Sequence, residues 1–171
     1  MHFTATTLTT ILLAIRPALA DFLIFTGAEN QFPDPAQATI VLFFNNPPSC
    51  KDVTSKAIQW TISPNNDASF DGIACDGCDG SKAPQDWDVK RFEVHDRKAG
   101  TFDNGGSEPH FTLYKDDKNG GWGLYDVDMK SIGTCTRPDP VQIANCPDVF
   151  SADSVAGIIH CTSAMTIKNS N

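Results

Sequence analysis

The sequence predicts an all-β domain: a disulfide-stapled Greek-key sandwich or barrel with little helix. Three observations carry that expectation. Short apolar or alternating runs recur along the chain, separated by turns rich in Gly, Pro, Asn and Asp. Six cysteines, Cys50, Cys75, Cys78, Cys135, Cys146 and Cys161, all lie beyond residue 20. An even count of that kind reads as three bridges made in an oxidising compartment. Only one stretch, Ser49 to Trp60, carries helical spacing.

Residues 1–20 read as a signal peptide. Ala5 to Ile15 is a short apolar run, and Ala18-Leu19-Ala20 offers the small residues that a signal peptidase requires, so Asp21 would begin the mature chain. The run is too short to span a bilayer. Residues 21–171 then form a single β domain. It carries 12 basic against 21 acidic side chains, a net charge of −9. Such a chain repels nucleic acid and anionic membrane, so neither is expected as a partner. There is no Asn-X-Ser/Thr acceptor, so N-glycans are not expected.

Phe22 to Phe25 (FLIF) is the first expected strand, and Thr26 to Gln37 a loop. Thr39 to Phe44 (TIVLFF) is continuous and β-branched, which predicts a strand buried on both faces. Asn45-Asn46-Pro47-Pro48 ends it. Cys50, Val53, Ala57 and Trp60 share one helical face behind a Ser49 N-cap, predicting a short helix that runs into a strand at Gln59 to Ile62. Ser63 to Pro84 reads as a long loop stapled by Cys75 and Cys78.

Trp87 to Asp96 (WDVKRFEVHD) is the central strand. Its apolar spacing of two, three, two predicts a bulge at Lys90-Arg91. Beyond it Phe92 and Val94 face the core, while Arg91, Glu93 and His95 share the opposite face. Arg97 to Pro109 reads as loop. His110 to Lys115 and Trp122 to Val127 flank the turn Asp116 to Gly121 (DDKNGG), a hairpin signal. Ser131 to Asp148 is proline-rich, and its Cys135 and Cys146, eleven apart, are expected to bridge each other. Val155 to Thr162 is the last core strand, with Ala164 to Ile167 as a possible edge.

The chain also aligns with itself. Ile40 to Asn46 leads through a cysteine-bearing loop to Trp87 to His95. Phe111 to Asp117 leads through another to Asp153 to Cys161. Two units of this size can bury a shared core; two ordinary antiparallel strands that happen to align are the competing reading. FTLYKDDKNGG and VFSADSVAGIIHC resemble the opening hairpin and later strand of a βγ-crystallin Greek key. The first unit matches less, because Pro47-Pro48 occupies its hairpin turn. That family's calcium ligands are not carried over: the matching positions read Lys90-Arg91 and Ala156-Gly157, without the hydroxyls. The whole chain is also similar to the small cysteine-rich secreted proteins of filamentous fungi, which implies an effector-like role outside the cell.

Arg91, Glu93 and His95 are the sharpest candidates for chemistry. On one strand face they place a cation, a carboxylate and an imidazole side by side. A ribonuclease-like hydrolase uses such a trio as base, acid and phosphate ligand; a solvated face with an ion pair is the plainer reading. His110 and His160 lack zinc spacing and are expected to be satisfied or exposed. The aspartates Asp67, Asp71, Asp76, Asp79, Asp116, Asp117, Asp126 and Asp128 read as solvated turns, with weak calcium binding the alternative. No nucleophile elbow or phosphate loop is present. Of three tryptophans, Trp87 is expected in the core and Trp122, among glycines, exposed as a possible ligand contact. The expectation is therefore a secreted binding protein without cofactor or metal, meeting an unknown protein or glycan, with the hydrolase as alternative.

Overall fold

The structure, a computed structural model, describes residues 20–29, 38–55, 60–63, 65–98, 100–146 and 154–168. The expected signal peptide lies outside them but for Ala20, the first residue of the first strand. The described strands are β1 (Ala20–Glu29), β2 (Ala38–Phe44), β3 (Trp60–Thr61), β4 (Gly72–Asp76), β5 (Arg91–His95), β6 (Phe102–Asp103), β7 (His110–Asp116), β8 (Gly121–Asp126), β9 (Ser131–Thr136), β10 (Ile143–Asn145), β11 (Ser154–Ser163) and β12 (Thr166–Ile167). One short helix, α1 (Cys50–Ser55), and a 3-10 turn at Pro84–Asp86 complete them. The fold is all-β, as expected.

A single ten-stranded antiparallel sheet runs β3-β2-β1-β11-β9-β8-β7-β5-β4, with β10 also on β11. Its two edges come back together where Ile62 meets Ile73 in a parallel bridge, so the sheet is a nearly closed barrel. Closure removes the exposed edges that invite association. β5 and β11, the strands aligned by the internal repeat, have three strands, β9, β8 and β7, between them in this order.

Alternation fills the barrel. Phe22 and Ile24 of β1, Phe92 and Val94 of β5, Phe111 and Leu113 of β7, Leu124 of β8 and Ile158 of β11 are all buried inside it. The small sheet β6–β12 caps one end. Phe102 is its plug, edge-on to Phe43 (4.8 Å between centroids), Phe111 (5.0 Å) and Phe22 (5.7 Å). The Asn45 side chain holds that cap as a strand partner would, donating to the Ile167 carbonyl and accepting from its N–H, both at 2.9 Å. Buried Asp96 folds the approach: its carboxylate accepts the N–H groups of Gly100, Thr101 and Phe102 at 3.0, 2.7 and 2.9 Å.

The β1–β2 pair is buried on both faces, as the unbroken runs FLIF and TIVLFF require. The second face, Leu23, Phe25, Ile40, Leu42 and Phe44, packs against Val53 of α1 and Val155. α1 begins at the expected cap: Asp52 N–H donates to Ser49 Oγ (3.3 Å) while Asp52 Oδ2 accepts from Ser49 N–H (3.0 Å), a reciprocal box.

Four expectations are corrected, the first being the loop expected at Arg97 to Pro109, which holds strand β6 at Phe102–Asp103 because it pairs with β12. Thr26–Glu29 continues β1 instead of entering a loop. Gly72–Asp76, read inside the long loop, is strand β4: its five residues carry little pattern of their own and gain strand geometry by pairing with β5. The irregularity expected at Lys90-Arg91 is one-sided: toward β4 both residues face Asp76, whose carbonyl accepts the Lys90 N–H at 2.8 Å, two residues against one, while toward β7 the ladder is regular. Lys90 stays opposite Lys115 and accepts its N–H at 2.9 Å. A further departure from regularity falls on Gly77 at φ +91, where a Cβ would stand 1.9 Å from the Asp88 carbonyl. Finally, Cys135 does not bridge Cys146. Cys135 lies directly opposite Cys161 across β9 and β11 and bonds to it, Cys146 bonds to Cys50 beneath α1, and Cys75 bonds to Cys78 as expected. The pairing follows faces: Cys135 and Cys161 belong to the barrel interior, Cys146 and Cys50 to the apolar layer outside β1–β2.

Candidate functional site

The outer face of β5, β7 and β8 gathers the chemistry-bearing side chains. Register places them: Arg91 lies opposite Tyr114, Glu93 opposite Thr112 and His95 opposite His110. Across the next pair Tyr125 lies opposite Thr112, and Gly123 opposite Tyr114. Because side chains alternate along each strand, these residues share one face while Phe92, Val94, Phe111, Leu113 and Leu124 fill the other.

Arg91, Glu93 and His95 are brought together as the sequence predicts, and His110 joins them. Glu93 Oε1 pairs with His110 Nε2 at 2.9 Å, and Glu93 Oε2 with Arg91 Nη1 at 3.5 Å. Arg91 Nη2 also donates to the Asn66 carbonyl at 3.2 Å. The His95 and His110 rings stack at 4.3 Å and 11°. His95 Nε2 pairs with Glu108, while its Nδ1 faces the carbonyls of Ala68 and Ser69 at 3.1 Å each. Every one of these neighbours is an acceptor. His95 thus fastens two loops, 65–71 and 104–109, to the end of β5.

The loop that supplies those carbonyls is itself fixed. Asp67 accepts the Ser69 hydroxyl and, at 2.8 Å, its N–H. Those bonds hold the Asp67 carboxyl below its ordinary range. At the far end of the hairpin, Lys115 Nζ lies 2.6 Å from Asp88 Oδ1. That contact lowers Asp88 and raises Lys115. Asp116 is lowered by the Asn119 side chain and the Lys118 N–H.

Beside the histidine pair lies a pocket of about 400 Å³, lined by Arg97, Asp103, Asn104, Ser107, Glu108 and Lys168. Glu108 belongs to both the pocket and the His95 contact. His160 sits elsewhere, 3.7 Å from Asp21. Among the described residues no three His, Cys, Asp or Glu side chains are arranged to hold a metal ion, and no helix is long and apolar enough to cross a membrane.

Trp122 is a correction. It is 5 % exposed, its Nε1 donates to the Val89 carbonyl at 2.8 Å, and the Arg137 guanidinium covers the ring at 5.9 Å. An interior position on β8 wins over the flanking glycines. Trp87 is in the core, as expected. The aromatic rings on the outer face are instead Tyr114 and Tyr125. Sequence could have found them, because both fall on the parity opposite Phe111, Leu113 and Leu124 in the hairpin. His110 was less accessible: its place beside Glu93 depends on the β5–β7 register, set by a loop with no turn signature.

Comparison with family models, with curated proteins and with solved structures finds no match for this chain.

Proposed function

We propose that the protein is a secreted, disulfide-stapled binding domain of the effector or elicitor kind, similar to small cysteine-rich proteins of filamentous fungi. It meets a protein or a glycan outside the cell that makes it. The observation that supports binding over turnover is the saturation of the polar network. Both nitrogens of His95 are engaged by protein acceptors, and the Glu93 carboxylate is shared between His110 and Arg91. Groups committed to one another in this way shape and rigidify a surface. The three bridges with no free cysteine among the described residues support an oxidising destination. Expression of the full chain beside a form lacking residues 1–20 tests this: the full chain should reach the medium with no alkylatable thiol. Retention of both forms in the cell, with reactive thiols, would end the reading.

A second reading, a small ribonuclease-like hydrolase using Arg91, Glu93 and His95, is favoured by one observation. His110 supplies a second imidazole at 2.9 Å from Glu93, so base, acid and anion-stabilising cation are within reach of one another. RNA cleavage that disappears in Glu93→Gln and His110→Ala would establish it; unchanged RNA would remove it.

A further inference from the structure

We infer that the outer face of β7 and β8 is a stacking site for a neutral polysaccharide built of pyranose rings. The inference rests on the binding reading above and names the ligand class of the same face. Tyr125 leans back over Gly123: a Cβ at that glycine would stand 2.6 Å from the ring's Cε2 and 2.7 Å from its hydroxyl. The hydroxyl end of the ring thus occupies the space that a side chain at position 123 would take, and the residue stays partly exposed. Tyr114 stands directly across the strand pair from Gly123 and is 38 % exposed. Its ring centroid is 6.0 Å from that of Tyr125, at 58°. Together the two tilted rings make an open corner on the outer face.

A pyranose fits such a corner chemically. Its faces present C–H bonds with slight positive charge, which the negative face of an aromatic ring attracts. Its rim presents hydroxyls that need both donors and acceptors. Thr112 lies opposite Tyr125 and Arg91 opposite Tyr114, with Glu93 beside both. Such a few placed polar groups around an aromatic surface are what fixes a ligand's orientation.

Charge selects a neutral ligand. The Arg91 guanidinium is already paired with Glu93 at 3.5 Å, and the chain carries a net charge of −8. An acidic sugar or a phosphate chain would meet an occupied cation on an acidic protein. A lipid surface would need large aliphatic side chains here, and the ring neighbours are Arg91, Glu93, His110 and Thr112.

The test titrates cellohexaose, laminarihexaose and chitohexaose separately into the oxidised full chain and follows backbone and ring resonances. At least one should shift Thr112, Tyr114, Gly123 and Tyr125 selectively. Tyr125→Ala should weaken that binding about tenfold or more. Tyr125→Phe, which keeps the ring, should retain most of it. Gly123→Ala, which dislodges the ring, should mimic the loss, and unchanged circular dichroism guards against misfolding. No shift with any of the three at millimolar sugar, or shifts confined to another face, overturns the inference. If a protein partner is then cross-linked at Tyr114, only the sugar assignment falls. If RNA cleavage abolished by Glu93→Gln is found instead, the binding reading falls with it.

Discussion

The barrel has two outer faces of opposite character. Outside β1 and β2, Leu23, Phe25, Ile40, Leu42 and Phe44 are buried under α1 and the Cys50–Cys146 bridge. Outside β5, β7 and β8, Arg91, Glu93, His110, Thr112 and Tyr125 are only partly buried and Tyr114 is exposed. Both faces belong to the same sheet, with the same twist and the same interior. What differs is the alternate residue along each strand. A strand whose every residue is apolar needs a second layer; a strand that alternates leaves its outer side for water and for partners. The covered face is where stability is concentrated, and the open face is where recognition can be.

Breaking the cover should cost most. Cys50 and Cys146 are 96 residues apart, so their bridge restricts a long loop of the unfolded chain. The double change Cys50→Ala with Cys146→Ala should lower the unfolding free energy by about 4 kcal/mol, read by urea denaturation. The Cys75–Cys78 pair, separated by 3 residues, should cost only about 2 kcal/mol when removed in the same way. Equal losses would mean that loop length is not what the long bridge contributes.

Next comes the apolar layer itself. Leu42 is fully buried, and Leu42→Ala should destabilise by about 3 kcal/mol through lost transfer energy and a residual cavity. Its counterpart on the open face, Thr112→Ala, should stay within about 0.5 kcal/mol. If both changes cost the same, the two faces are not the distinct regions drawn above.

The polar network sharpens the contrast from the other side. Glu93→Gln removes the charge that Arg91 and His110 share. At a face still partly open to solvent this should cost about 1 kcal/mol, with the fold intact by circular dichroism. A collapse of the fold would show the network to be a structural centre like the apolar layer.

Acid should have the smallest effect, spread over the open surface. Asp67, Asp79, Asp88 and Asp116 all sit below the ordinary carboxyl value when folded, chiefly through hydrogen bonds from Ser69, Ser81, Lys115 and Asn119. A lowered folded value means that the unfolded chain binds the proton first. Their stabilisation is therefore present above the ordinary carboxyl range and is lost as pH falls through the lowered folded values. Lys115 is raised, so its contribution is present below its ordinary value and is lost as pH rises through the raised one. Melting temperature should fall on acidification, and less steeply in high salt because these groups are exposed. A melting temperature that rises on acidification would reverse the assignment.

The covered face was readable in the sequence because FLIF and TIVLFF are unbroken, and only a strand buried twice has use for that pattern. The helix at Ser49 was readable because its cap is local. The trio Arg91, Glu93 and His95 followed from alternation alone. What escaped depends on pairing. β4 is a strand because β5 lies beside it, His110 reaches Glu93 because of a register that no turn residue encodes, and Cys135 meets Cys161 because β9 and β11 happen to be neighbours. Trp122 was misplaced for the opposite reason: its glycine neighbours suggested exposure, while its parity in the hairpin put it inside.

One pairing inside the sheet joins the first described strand to one near the far end of the chain: Ala20 of β1 lies opposite Ser163 of β11. A polypeptide emerging from a ribosome or a translocation pore can form the β7–β8 hairpin early, yet β1 must wait for nearly everything that follows before it finds that neighbour. Until then the first two strands are an unsatisfied ribbon of phenylalanine, isoleucine and leucine, attractive to chaperones and to other copies of itself. The interval between synthesis of the first strand and arrival of the last is thus the moment at which this molecule is most vulnerable.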